Sequence, residues 1–332
     1  MRAAGARGGG TAAPPHTRRR GLDPAVWRRG RATAVLALLI GALLAFHGLV
    51  PNWGVHLGSL IETFLPWLAV PLVPLLLNAL RRRSATALIA VLVTALIWCG
   101  MFGPRMWAPA PTGASDLTVV SNNVEAANAD PDVTAADLLA TGADVIGLEE
   151  LTSEAVPTYE KDLAGTFPYH DVEGTVGVWS KYPITSAEPV DLDIGWTRAL
   201  RADIDSPQGA VTVYAAHMPS VRVTVTAGFD TDDRDHAITT LAAKIADDSA
   251  SRVIVLGDFN TSTDDRALEP MTTTAGLTDV LQSGEGLGLT WPAGLPTVRP
   301  DQILVRGSTP VASSVLPADG SDHRPVEARL RI

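Results

Sequence analysis

The sequence predicts three amino-terminal membrane-spanning helices followed by a single α/β sandwich domain, and three observations carry that reading. Charge-free apolar stretches fill most of residues 32–103, and beyond residue 115 short β-rich runs alternate with helical patterns. The third observation is charge. Residues 1–103 hold 11 Arg, no Lys and only Asp23 and Glu62 as acids, about +9 net, whereas residues 104–332 hold 15 basic and 34 acidic residues, about −19. The chain therefore divides into a tail at 1–31, rich in Gly, Ala and Arg and expected to be disordered, an anchor at 32–103, a linker at 104–115 and a folded domain at 116–332.

The three spans are expected near residues 33–50, 60–80 and 85–102, because about 20 apolar residues suffice to cross a hydrocarbon core. Pro66, Pro71 and Pro74 fall inside the second, where neighbouring helices in a membrane can re-satisfy the freed carbonyls, and Glu62 is expected at an interfacial end. Orientation follows from arginine: Arg18, Arg19, Arg20, Arg28, Arg29 and Arg31 precede the first span, and Arg81, Arg82 and Arg83 separate the second from the third. Positive charge stays on the cytoplasmic side. The amino terminus is thus expected inside the cell, and the domain after residue 103 outside the cell membrane. Cys99, the single cysteine, sits in the last apolar run and excludes an internal disulfide.

In the acidic domain, residues 117–121, 145–148, 177–180, 199–204, 211–216, 253–257, 302–305 and 326–330 read as strands from their β-branched, apolar content. Residues 132–139 and 232–245 read as helices, the latter with Ala237, Leu241 and Ile245 at helical spacing. Several of these apolar strands run into a polar residue: Asn123, Glu150, His217, then Asp258 and Asn260. Strand ends of this kind can build one shared site.

The strings "SNNV" (121–124), "DVIGLEEL" (144–151), "AAHMPS" (215–220), "VIVLGDFN" (253–260), "RPDQILV" (299–305) and "SDHRPV" (321–326) resemble, in order, the successive motifs of the endonuclease/exonuclease/phosphatase superfamily. That resemblance implies a four-layer sandwich of two sheets flanked by helices and a Mg²⁺- or Mn²⁺-dependent hydrolase. It implies Glu150, Asn123 and Asp322 as metal-side residues, since hard cations take carboxylate and amide oxygens. Asp258 is implied to orient or deprotonate the attacking water, Asn260 and His217 to contact the phosphate, and His323 to act as general acid or base or as a stabilising cation held by Asp301. The family usually shows Gln-Glu where this chain has Glu149-Glu150, which adds a nearby acid. Arg234, Asp279 and Trp291, the last within "LTWP" (289–292), are weaker candidates and read as structural. Water attacking in line needs no covalent intermediate.

The superfamily's motifs leave the phosphoester open. A domain at −19 repels polyanions and lacks Lys/Arg clusters, which disfavours nucleic acid. A linker of roughly ten residues reaches only about 35 Å, which favours a substrate at the outer leaflet. The anchor-plus-domain architecture further resembles the membrane proteins of actinobacterial vancomycin/teicoplanin resistance clusters. That resemblance implies hydrolysis of a lipid-linked cell-wall intermediate, undecaprenyl diphosphate. A surface-tethered nuclease and a sphingomyelinase- or phospholipase C-like enzyme are the alternatives, the lipase disfavoured because no exposed apolar hairpin is legible. No protein partner is implied.

Overall fold

The computed structural model describes residues 29–107, 113–224, 228–284 and 286–332. Most of the expected disordered tail and residues 108–112 of the expected linker lie outside the described residues.

Two six-stranded sheets face each other. The first runs in the order β13 (Thr309–Val315), β14 (Val326–Arg331), β1 (Leu117–Asn123), β2 (Val145–Glu149), β4 (Val176–Ser180), β3 (Tyr169–Glu173). The second runs β11 (Thr278–Asp279), β12 (Asp301–Arg306), β10 (Val253–Asp258), β7 (Gly209–His217), β6 (Ala199–Ser206), β5 (Ile184–Pro189). Val119, Val145 and Val178 from one sheet meet Val213, Ile254 and Leu256 from the other in the central core. Alternate residues of the same strands point outward, as the two-residue period requires. Val120, Ile146 and Trp179 pack under Pro131–Ala140 and Val156–Leu163, and Tyr214, Val253 and Val255 pack under Asp232–Asp247. The result is helix, sheet, sheet, helix. Gly147 shows how close the sheets lie: a Cβ built there would sit 1.8 Å from Leu256 Cδ1.

Each of the eight runs read as strands forms one. The strands that escaped the reading are mainly edge strands: β3, β5 and β13 carry Glu, Asp, Ser, Thr and Pro rather than an apolar run, because one long side of an edge strand faces solvent.

The amino-terminal part corrects the expectation of three spans. Among the described residues one helix, Ala85–Met106, is long and apolar enough to cross a membrane. The helix Arg31–Ala45 has 15 residues, about 22 Å at 1.5 Å per residue. It packs on Ala85–Met106 through Ala34, Ala37, Ala87, Ala90 and Val91 and a Thr94 hydroxyl donated to the Ala37 carbonyl (2.7 Å). The expected second span is broken. Leu57–Thr63 forms one short helix, Pro66 lies in a 3₁₀ turn, and the chain bends by 75° before continuing to Arg81.

The break has a tertiary cause. Glu62, 1% exposed, accepts from Arg266 Nε (2.9 Å) and Nη2 (2.8 Å), and Arg266 also donates to the carbonyls of Val50 and His47. Ser59 Oγ donates to Asp265 (3.1 Å), Trp67 Nε1 to the Thr297 carbonyl (2.6 Å), and Arg105 pairs with Asp264 (3.0 Å). Leu57–Thr63 is thereby docked on the sandwich.

Candidate metal centre and active site

Register places the polar strand ends on one floor. β1 and β2 run parallel with Asn123 opposite Glu149. β7 and β10 run parallel with His217 opposite Asp258, and antiparallel β12 sets Asp301 opposite Asp258 from its other side. The carboxyl-terminal ends of β1, β2, β7 and β10 and the amino-terminal end of β12 therefore meet at the same edge. The loop before β14 adds Asp322 and His323, held because Ser321 Oγ donates to the Asn123 carbonyl (2.6 Å) and accepts from the His323 backbone N–H (3.0 Å).

Asn123 Nδ2 bridges Asp258 Oδ2 (2.9 Å) and Glu150 Oε1 (3.2 Å), and the Ala126 N–H donates to the other Glu150 oxygen. Donor atoms of Glu150, His217 and Asp258 lie within 4.8 Å of one another, as do those of Asp258, Asp301 and His323. Asp322 stands at the rim, accepting from Trp291 Nε1 (2.9 Å), with His323 Nε2 3.8 Å away. Glu150 and Asn260 hold left-handed backbone, φ 61° and 48°. Non-glycine residues there cost of order 1–3 kcal/mol and cluster at functional sites.

Burial and crowding set the protonation states. Burial first, then the Asp301 charge, push the Asp258 carboxyl up. Glu149 is fully enclosed, and burial with the charges of Asp301 and Asp258 pushes it well above the ordinary carboxylate range. Burial and crowding thus disfavour a full charge on the acid that replaces the family's glutamine. Burial lowers His217 to about 4, with Arg198 and His323 adding to the effect. For His323 burial opposes the cation, but Asp301, whose two oxygens lie 3.0 and 3.1 Å from Nδ1, outweighs it together with Asp258 and Asp322 and raises the group to about 10. One imidazole is neutral and the other cationic at neutral pH.

This donor set fits a divalent cation. Asp258 carries a raised carboxyl beside Glu150 with the His323 cation as its nearby compensation, and hard oxygen donors of this kind suit Mg²⁺.

Of the weaker candidates, Arg234 pairs with Asp265 (3.0 Å) and donates to the Asn260 carbonyl, so it supports the Asp258–Asn260 turn from behind. Asp279 pairs with Arg299 (3.2 Å). Trp291 lines the cleft and packs on His323, ring centroids 6.4 Å apart. Asn260 lines the same cleft while its amide donates to the Met218 carbonyl.

Sequence reasoning missed Arg198 and the apolar side of the cleft. The cleft, about 480 Å³, has Glu150, Asp258 and His323 at its polar end and Leu60, Phe64, Val223 and Phe229 along its flank. Leu60 and Phe64 come from the segment read as a membrane span. Val223 and Phe229 come from the hairpin β8 (Arg222–Thr224) and β9 (Gly228–Asp230), where Val223 is 82% exposed. A hairpin that presents an exposed Val223 therefore borders the cleft, a feature the sequence reading did not see. The alternation Val221, Val223, Val225 was its only signal.

Two sheets whose strand ends gather carboxylates, an amide and two imidazoles of opposite protonation define a metal-dependent phosphoester hydrolase. The chain belongs to the Endonuclease/Exonuclease/phosphatase family, whose model matches residues 97–323. Solved structures share the fold. A mannosyl-6-phosphatase from Bacteroides thetaiotaomicron is 17% identical over 65% of this chain and 100% of its own, TM-score 0.55. Sphingomyelinase C from Streptomyces griseocarneus is 18% identical over 65% and 99%, TM-score 0.53. Beta toxin from Staphylococcus aureus, solved with bound magnesium ions, is 17% identical over 65% and 99%, TM-score 0.55. No match is found among curated proteins.

Proposed function

We propose that the protein hydrolyses a lipid-linked pyrophosphate, undecaprenyl diphosphate, to the monophosphate on the outer face of the cell membrane, in the manner of the membrane proteins of glycopeptide (teicoplanin) resistance. One observation carries this reading: the catalytic floor and an apolar wall contributed by the amino-terminal segment line a single cleft. A diphosphate on an apolar chain matches such a cleft, whereas a sugar phosphate leaves the wall unused. The Arg81, Arg82 and Arg83 run at the start of the Ala85–Met106 helix supports a cytoplasmic start and an extracytoplasmic domain. The −19 charge disfavours nucleic acid.

In this reading Glu150 would hold Mg²⁺, with Asn123 and Asp322 the further metal-side residues that the motifs imply, and the ion would supply Lewis-acid neutralisation of phosphate charge. Asp258 orients water and takes its proton. The His323 cation, fixed by Asp301, stabilises charge developing on the phosphoryl oxygens. Neutral His217 and Asn260 supply hydrogen bonds to the phosphate. A sphingolipid phosphodiester is the second reading, favoured by the exposed Val223 hairpin.

The test is product release by the full-length protein in detergent with Mg²⁺: phosphate from undecaprenyl diphosphate, phosphocholine from sphingomyelin and nucleotides from DNA. His323→Ala serves as control. Phe64→Ser should raise the KM for the prenyl substrate several-fold, since each buried methylene contributes about 0.8 kcal/mol. DNA cleavage without release from either lipid defeats the proposal, and phosphocholine release alone moves the assignment to the second reading.

A further inference from the structure

We propose that Arg198 is a catalytic residue that binds the substrate's phosphoryl group, serving as the fixed cation whose counter-ion is the phosphate itself. The inference rests on phosphoester hydrolysis at this site and is independent of the lipid-linked substrate.

Arg198 stands just before β6, and β6 pairs antiparallel with β7 so that Ala199 lies opposite Ala216. The His217 N–H donates to the Arg198 carbonyl (2.8 Å), which makes Arg198 and His217 cross-strand neighbours. Its side chain reaches the imidazole, with Nη2 2.5 and 2.7 Å from the two ring nitrogens, and its Cζ lies 4.3 Å from the centre of the Trp196 ring. Through His217, whose Nε2 is 3.7 Å from both Glu150 and Asp258, the guanidinium borders the metal-binding cluster.

The residue is 7% exposed, and Nε has no hydrogen-bond partner. Among the described residues no carboxylate lies within 4.0 Å of it, and the imidazole it touches carries no negative charge to offset a guanidinium. A buried guanidinium without an anion is costly. The other arginines buried to this degree are paired: Arg234 with Asp265 at 3.0 Å and Arg299 with Asp279 at 3.2 Å. The carboxylates whose charge acts on Arg198 through space are Asp258 and Glu150, and their oxygens accept from Asn123, from the Asn260 N–H and from the Ala126 N–H. Once those carboxylates serve a divalent cation, Arg198 becomes uncompensated positive charge at the edge of an anion site. A phosphoryl group set between them satisfies both, and the planar fork of guanidinium donors suits two phosphate oxygens.

The test uses full-length protein in detergent with Mg²⁺ and inorganic phosphate as probe. Arg198→Gln should weaken inorganic phosphate binding, read by calorimetry and by product inhibition, about tenfold or more, and lower kcat by roughly a hundredfold. Arg198→Lys should recover part of both. Mn²⁺ affinity, read by electron paramagnetic resonance, should not fall in either variant, since loss of a nearby positive charge can only favour a cation. Wild-type phosphate affinity in Arg198→Gln, with or without loss of activity, overturns the proposal, because Arg198 would then act only by holding His217. A wild-type protein that hydrolyses another phosphoester but not undecaprenyl diphosphate, with phosphate binding lost in Arg198→Gln, defeats the proposed substrate while leaving this assignment standing, and a protein that hydrolyses no phosphoester defeats both.

Discussion

Replacing Asp301 with Asn removes the charge that keeps His323 protonated while conserving the shape that orients it. The amide oxygen can still accept from Nδ1–H, and the Thr290 hydroxyl, which donates to Asp301, can accept from the new amide. In the native site His323 stands at about 10 against an ordinary value of 6.5. A difference of that size corresponds to roughly 5 kcal/mol at 1.36 kcal/mol per unit. Burial works against the cation, so Asp301 supplies much of the opposing effect. Without it the group falls to about 6.5 or below, and at pH 8 only about 3% remains cationic. Hydrolysis in Asp301→Asn should therefore drop about thirtyfold at pH 8 and recover most of the way at pH 6. The wild-type rate should hold until pH rises toward 10. The measurement is a pH–rate profile of phosphate release at saturating Mg²⁺, with the His323 resonance followed by NMR across the same range. A mutant profile that keeps the wild-type alkaline limb, lowered uniformly, would refute the reasoning.

Arg266→Ala should leave the Glu62 carboxylate buried beside His47 without its guanidinium. Because Arg266 is itself partly exposed, the expected cost is about 2–4 kcal/mol, the lower part of the range for a broken buried pair and just below it. Thermal melts of Glu62→Gln, Arg266→Ala and the double variant should show losses that fail to add, and full additivity would mean the two groups do not act together. Asp319, raised to about 6 chiefly by burial, keeps its proton in the folded state at pH values where the unfolded chain, at 3.8, has released it. The unfolded state then binds fewer protons, so this group's contribution to stability falls as pH rises from about 4 through 6, by roughly 1–3 kcal/mol in total. Asp319→Asn should therefore gain stability relative to wild type between pH 4 and 7.5 in urea titrations, and a gap that stays constant with pH would contradict this.

The central strands were legible because they lie in the interior of both sheets: "VIVLG" and "VTVYAA" are apolar on both faces and flanked by turns. The edge strands β3, β5 and β13 were not, because half of their surface meets water and their composition matches that of loops. The strand-end acids, amides and imidazoles could be read one by one. Their convergence could not, since it depends on the register that sets Asp258 beside both His217 and Asp301. Arg198 gave no signal because a lone arginine before a strand is ordinary, and its isolation from carboxylates exists only in three dimensions.

Local pattern by itself determined the αβ sandwich, the family and the inventory of candidate metal-side and phosphate-side groups, because strand propensity and motif order are properties of neighbouring residues. Tertiary structure decided where the amino-terminal apolar segment goes. Hydropathy reports only that residues 60–80 are apolar, and it does not reveal that Leu60 and Phe64 flank a protein cleft. Glu62 and Arg266, 204 residues apart, made that choice. Their pairing bends the expected span against the catalytic floor and gives the cleft its apolar wall.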